Sequence, residues 1–320
     1  MVDSIEYHLK PLHDLSAWLQ GFTLKDVSIG PEGEFCVLAV SAEMELHGQS
    51  YEITTSEPFT YKLFISKTGR VTEITLPDQY WNFQFFQPIQ QDLLLLTTAR
   101  ARLYQDGTFD RNAKIFDRHG RLVREFLLGD DIACLQVTRE DTIWTGYDEQ
   151  GIWGNYGWGI PDGLPPVGNC GLRSWDAWGN PRYRFNDHKN PFYCCPVLNV
   201  IRDDEVWFYN YYRGWLVRIR NNEDIDNFPT FFDVGSDIAI SDNYVVFFGE
   251  YRDRFRFLLG ELLKADGSLA IRKDFTFFDE SGLEIETGPF SPSCRGSSIL
   301  FLHNYKLYSA DVKDIVKQFL

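Results

Sequence analysis

Short runs of Val, Ile, Leu, Phe, Tyr and Trp follow one another along the whole chain, each bounded by Asp, Asn or Gly. That is the pattern of β-strands separated by tight turns. One phrase recurs, in which an apolar strand runs into a polar turn and a second strand leaves it: KLFISKTGRVTEI, KIFDRHGRLVREF, RSWDAWGNPRYRF, LVRIRNNEDIDNF, LLKADGSLAI and LYSADVKDI. With Gly69, Gly120, Gly179, Asn222, Gly267 and Asp311 as turn markers, the spacings are 51, 59, 43, 45 and 44 residues. A period near ~40 to 45 residues is that of a four-stranded propeller blade. Two further strands precede each turn phrase, as DIACLQVT and DTIWTGYD precede GLRSWDAW and PRYRFND. The pattern predicts an all-β fold, a six-bladed β-propeller forming one domain over residues 1–320. Its blades lie at about 25–77, 82–128, 131–187, 194–233, 236–278 and 290–311, the last completed by residues 4–9. Seven blades is the rival count, because the two longer early units have room for extra strands.

The ends depart from the repeat. Ile5, Tyr7 and Leu9 alternate with polar residues, which predicts an outer strand that closes blade six, since an unpaired sheet edge is a liability. Leu12 to Phe22 reads as a short helix. Val312, Ile315, Val316 and Phe319 recur at i, i+3, i+4 and i+7, the stripe of a short amphipathic C-terminal helix.

On the recurring strand, turn, Gly, strand phrase, the chain resembles six-bladed β-propellers of the broad bacterial class that includes NHL-like and lactonase-like proteins, over nearly its whole length. The usual marks of other propellers are missing: no W-D blade ending in its place, no kelch Gly pair, no sialidase Asp-box. Trp175-Asp176 falls on a third strand and is not such an ending.

Composition narrows the class of partner. Hydrophobic residues make up 44% of the chain and aromatics 16%, enough for a packed core. Lys and Arg number 31 against 46 Asp and Glu, a net charge of −15 that repels phosphate backbones and favours a basic partner. Nucleic acid is therefore not an expected partner. No run reaches the ~18 to 20 apolar residues of a membrane span, and MVDSIEYHLK has neither a basic n-region nor an apolar h-region. The expectation is a cytoplasmic protein without a membrane partner. Six cysteines show no C-x-x-C and no zinc-site spacing. The adjacent Cys194 and Cys195 could pair in a strained vicinal disulfide, but burial as thiols is favoured.

Candidate chemistry follows from the loops. Those between second and third strands are long in blades one to three, about Ser41 to Phe59, Thr97 to Lys114 and Gly146 to Gly171, and short afterwards. They open on the face where propellers conventionally bind, and long loops without their own repeat are often functional. The third combines Trp153, Tyr156 and Trp158 with five glycines; the rings either stack on a ligand or fold back to cap the blade. Its glycine spacing matches neither the dinucleotide fingerprint nor a P-loop. Tyr147, Asp148 and Glu149 in blade three, Arg213 beside Tyr211 and Tyr212 in blade four, and Arg252 beside Tyr251 in blade five supply polar tips to the same face. Tyr-Arg pairs suit an oxyanion or a planar ligand.

A second pattern, x-Asp-aliphatic-small, opens the first strands at Asp26, Asp131 and Asp237, with Asn82 the possible equivalent in blade two. Each Asp either accepts hydrogen bonds from local backbone N–H groups or joins a ring of carboxylates that holds Ca²⁺ or another divalent cation in the channel mouth. Two function classes result. The first is a binding scaffold for a protein or small ligand, with no cofactor and no catalysis. The second, implied by the lactonase-like resemblance, is a metal-dependent hydrolase with Asp26, Asn82, Asp131 and Asp237 as ligands and Asp187 and His188 as acid–base candidates. That family ligates with a mixed Glu, Asn and Asp set, which this Asp-rich partial ring does not reproduce. No Gly-x-Ser-x-Gly elbow or His-Glu-x-x-His motif points to an enzyme.

Overall fold

The computed structural model describes residues 5–41, 52–159, 163–185, 193–230, 233–251, 254–263, 267–286 and 292–320. Their strands gather into six sheets whose inner strands are consecutive in sequence and antiparallel, the blades of a six-bladed β-propeller fold. The chain divides into two compact units, Leu19–Pro196 and Met1–Trp18 with Val197–Leu320.

The Leu19–Pro196 unit holds blades one to three. Blade one is Thr23–Ile29, Phe35–Val40, Thr54–Lys67 and Arg70–Trp81; blade two is Phe85–Ile89, Leu93–Thr97, Ala113–Asp117 and Leu122–Phe126. Blade three is Ile132–Val137, Ile143–Tyr147, Leu172–Trp175 and Pro181–Arg184. Second strands such as Phe35–Val40 and Leu93–Thr97 are buried at almost every position. Blades one and two share a core that includes Leu38, Leu63, Phe83, Phe86 and Leu96, so a blade's two faces both meet apolar neighbours. That is why these strands read as continuous apolar runs, whereas the outermost, such as Pro181–Arg184, are mostly exposed.

The other unit holds blade four (Leu198–Arg202, Glu205–Asn210, Trp215–Arg220, Asp224–Pro229) and blade five (Asp233–Ser241, Tyr244–Tyr251, Arg254–Leu262, Leu269–Phe278). Blade six is Ser293–Arg295, Ser298–His303 and Lys306–Asp311. Its fourth strand comes from the N-terminal segment, though not at the expected residues. Pro11–Asp14 pairs antiparallel with Lys306–Asp311, while Ile5–His8 adds a fifth, parallel strand to blade five along Leu269–Phe278. The alternation at Ile5, Tyr7 and Leu9 reports a strand but cannot say which edge it joins. Phe277 settles that, since Tyr7 meets its ring edge-on at 5.4 Å. Nor does Leu12 to Phe22 form a helix: it is this strand followed by turns. The C-terminal helix Val312–Phe319 forms as expected, with Val312 and Ile315 buried and Val316 and Phe319 packed on the core of blades five and six.

Gly69, Gly120, Gly179, Asn222 and Gly267 all lie between the third and fourth strands of their blades, and all have positive φ. A left-handed residue closes these hairpins, which explains the Gly and Asn in the repeat. In two of them an Asp fixes the turn: Asp117 accepts from the N–H groups of His119 and Arg121, and Asp176 from those of Trp178 and Asn180. Asp311 differs. Blade six has no third-to-fourth hairpin, and Asp311 instead caps the C-terminal helix through Lys313 N–H.

Candidate functional site

Three long loops of the Leu19–Pro196 unit meet around one groove. Its walls are Glu52, Ile53, Thr54 and Ser56 from blade one, Arg102, Tyr104 and Asp110 from blade two, and Tyr156 from blade three, around a volume of about 480 Å³. Each wall has its own brace. Asn82, fully buried, donates from Nδ2 to the Glu52 carbonyl at 3.0 Å, while its backbone N–H donates to the Ile53 carbonyl at 3.0 Å. In the blade two loop, Asp110 Oδ2 accepts from Arg102 N–H at 2.9 Å and Oδ1 from the Tyr104 hydroxyl at 3.0 Å.

The blade three loop is held by a buried arginine. The Arg100 guanidinium is 5% exposed and donates to Asp131 Oδ1 at 2.8 Å, Asp130 Oδ2 at 3.0 Å and Gln150 Oε1 at 2.9 Å. Asp131 Oδ2 in turn accepts from the N–H groups of Gln150 and Gly151, in a short helix, Glu149–Trp153, capped by Asp148. Gly151 is required there, because a Cβ would lie 2.3 Å from the Asp130 carbonyl. Farther along, Gly157 has φ +94°, and a Cβ on it would meet the Leu103 carbonyl at 2.1 Å, so only glycine lets the loop press against blade two. Leu103 N–H donates to the Tyr156 carbonyl at 2.9 Å. The Tyr156 ring consequently lies under two guanidiniums, with Arg100 at 4.5 Å and Arg102 at 5.0 Å from its centroid. Desolvation pushes the Asp130 carboxyl up to about 6, against the opposing pull of Ala101 N–H and Arg100.

Four of the lining side chains carry polar groups that make no hydrogen bond. Among the described residues, Glu52, Thr54, Ser56 and the guanidinium of Arg102 have no side-chain hydrogen-bond partner. The site therefore offers acceptors, donors and hydroxyls together, beside the half-exposed ring of Tyr104.

The expected site residues separate on this map. Tyr156 lines the groove. Trp158 instead folds back, 3% exposed, with Nε1 donating to the Ala101 carbonyl at 2.8 Å, so it anchors the loop. Trp153 stays 55% exposed on the short helix, near the Tyr193 ring at 5.8 Å. Tyr147 cannot meet a ligand: it is fully buried, its hydroxyl accepts from Thr145 and donates to the Leu128 carbonyl, and desolvation raises its pKa. Asp148 is spent on the helix cap and Glu149 is exposed. Arg213 belongs to the other unit, stacked over Tyr212 and Trp215 at 5.4 and 5.8 Å. Arg252, Asp187 and His188 lie outside the described residues.

Each of the four candidate metal ligands has hydrogen-bond partners of its own. Asp26 accepts from Phe86 N–H of the next blade at 3.3 Å, and Asp237 from Cys294 N–H of the next blade at 2.5 Å. In two of its three occurrences the x-Asp-aliphatic-small pattern thus marks a tie between successive blades. Asp131 is taken by Arg100 and the helix, and Asn82 by Lys25 and Glu52. Among the described residues no group of three or more His, Cys, Asp or Glu is placed to hold one cation. Desolvation pushes the carboxyl of Asp26 up to about 7 and that of Asp237 up to about 8. No described cysteine forms a disulfide; Cys195 is buried, and its carbonyl accepts from the Cys134 thiol at 3.0 Å. No described helix is long and apolar enough to cross a membrane.

With the site in place, likeness to known proteins can be weighed. The sequence matches no protein-family model and no curated protein. Solved structures are similar in fold. Hydrazine synthase of Kuenenia stuttgartiensis is 10% identical with a TM-score of 0.52, over 94% of this chain and 79% of that one. Hsv2 of Kluyveromyces lactis is 9% identical with a TM-score of 0.49, over 91% and 74%. Virginiamycin B lyase of Staphylococcus aureus is 12% identical with a TM-score of 0.42, over 94% and 97%. All three are far below the identity at which chemistry transfers, and the likeness to hydrazine synthase is one of fold alone. A propeller of this kind is suited in general to binding or to catalysis; the groove residues must say which.

Sequence reading missed Arg100, Arg102, Tyr104 and Asp110. The signal was Ala99-Arg100-Ala101-Arg102, two arginines between small residues inside a loop of an acidic chain.

Proposed function

We propose that this protein is a binding module that receives a small ligand, or a short segment of a partner protein, in the groove between the three long loops. The observation that carries the reading is the groove itself: eight residues from three blades line it, with the buried Asn82 and Arg100 bracing the walls from blades one and three and Asp110 bracing that from blade two. Function in propellers lives in loops held by a rigid frame, and a site of this size falls in the ~300–1,000 Å³ range of small-molecule pockets. The acid excess supports a partner without a phosphate backbone.

The metal-hydrolase alternative has less support, because the carboxylates it needs already accept backbone N–H groups or Arg100. A fragment screen followed by protein NMR tests the binding reading. Hits are expected to move the Arg102 side-chain and Tyr104 ring resonances; hits that map only elsewhere, with those signals still, refute it.

A further inference from the structure

We propose that the ligand of this groove is a short, neutral, hydroxyl-rich chain, an oligosaccharide. The inference rests on the reading of the groove as a binding site and goes on to its chemistry. A ligand must answer what the walls present. Glu52 and Asp110 offer acceptors, Arg102 offers donors, Thr54 and Ser56 carry hydroxyls that do both, and the Tyr104 hydroxyl, which donates to Asp110, can still accept. A sugar hydroxyl also donates and accepts, so one ligand type can satisfy every wall. Its apolar C–H face packs on an aromatic ring, and Tyr104 is 44% exposed for that contact.

Other ligand classes fit less well. A phosphorylated or carboxylated ligand meets two carboxylates for one guanidinium, within a chain of net charge −15. A polycation meets Arg102, already stacked over Tyr156. An apolar ligand would strand the polar ends of Glu52, Thr54, Ser56 and Arg102, and unpaired buried polar groups are costly. A peptide needs apolar pockets for its side chains, and Ile53, itself buried, is the aliphatic residue in the lining.

The test is calorimetric titration with neutral probes (cellobiose, maltotriose, lactose, diacetylchitobiose, xylobiose), alongside digalacturonate, spermidine and triglycine, each to about 20 mM. A neutral sugar is expected to bind. Arg102→Ala and Tyr104→Ala should each weaken it about tenfold or more, as loss of a charge-assisted hydrogen bond or a ring face does. Both residues are exposed, so each variant should stay folded, with at most a small fall in melting temperature from the lost Tyr104–Asp110 bond or Arg102–Tyr156 contact. If no neutral sugar binds, in this panel or on a glycan array, while digalacturonate, spermidine or triglycine binds and is lost in Arg102→Ala, the groove stands as a site and the sugar inference falls. Sugar binding indifferent to both substitutions lies elsewhere and overturns both.

Discussion

Arg100 concentrates the argument at the scale of single residues. It is buried with two carboxylates around it, so removing it leaves Asp130 and Asp131 without their cation. Arg100→Ala is expected to cost about 3–5 kcal/mol, read by chemical denaturation, because an uncompensated buried charge is worse than none. Arg100→Lys should recover only part of this, since an ammonium cannot fork to Asp131, Asp130 and Gln150 at once. Full recovery by lysine would show that geometry does not matter there. Asp26 makes a prediction in pH. Its pKa is raised by desolvation to about 7 in the folded state, above the ordinary carboxylate range, so between those values the folded protein binds the extra proton. Its contribution is therefore present at low pH and lost as pH rises from about 4 through 7. In Asp26→Asn the amide oxygen can still accept from Phe86 N–H, and the fall of melting temperature between pH 5 and 8 should be shallower than in the parent. An unchanged slope would mean that Asp26 is ionised throughout.

At the scale of elements, the N-terminal segment does two separable jobs. Pro11–Asp14 supplies the fourth strand of blade six, and Ile5–His8 only adds a fifth to blade five. Deleting residues 1–9 should lower the melting temperature modestly, whereas deleting residues 1–14 should cause a much larger loss, because it bares the edge at Lys306–Asp311. Equal losses would show that the two strands are one cooperative piece. In the same way the blade three loop depends on Gly157. Gly157→Ala forces a Cβ into the Leu103 carbonyl at positive φ, and should cost more than about 1 kcal/mol while raising protease cleavage between residues 148 and 159. The turn markers were legible as elements because a left-handed hairpin residue is a local demand that Gly and Asn meet wherever they stand. The short helix at Glu149–Trp153 was not, since five residues carry no periodicity and tertiary bonds from Asp131 hold it.

At the scale of the whole molecule, the question is whether a cation holds any of it together. The candidate ligands are divided between blade-to-blade ties and loop braces, so Ca²⁺ or Mg²⁺ at millimolar concentration should leave the melting temperature where it was. A cation that binds only the folded state must raise it as the concentration passes Kd. A rise abolished by Asp131→Asn would restore the metal-site reading against the present one.

The sequence alone determined the all-β class, five of the third-to-fourth hairpins and the C-terminal helix, and it favoured six blades over seven. All of these follow from local periodicity, turn chemistry and spacing, which a linear reading contains. Tertiary structure decided the rest. Asp26 and Asp131 share one motif, yet one ties blade to blade and the other braces a helix, because their partners, Phe86 and Arg100, lie 60 and 31 residues away. Trp158 and Tyr156 stand two residues apart, yet one is core and the other is wall. Which residue of a loop is buried depends on what another blade brings against it, and that is a property of packing rather than of order along the chain.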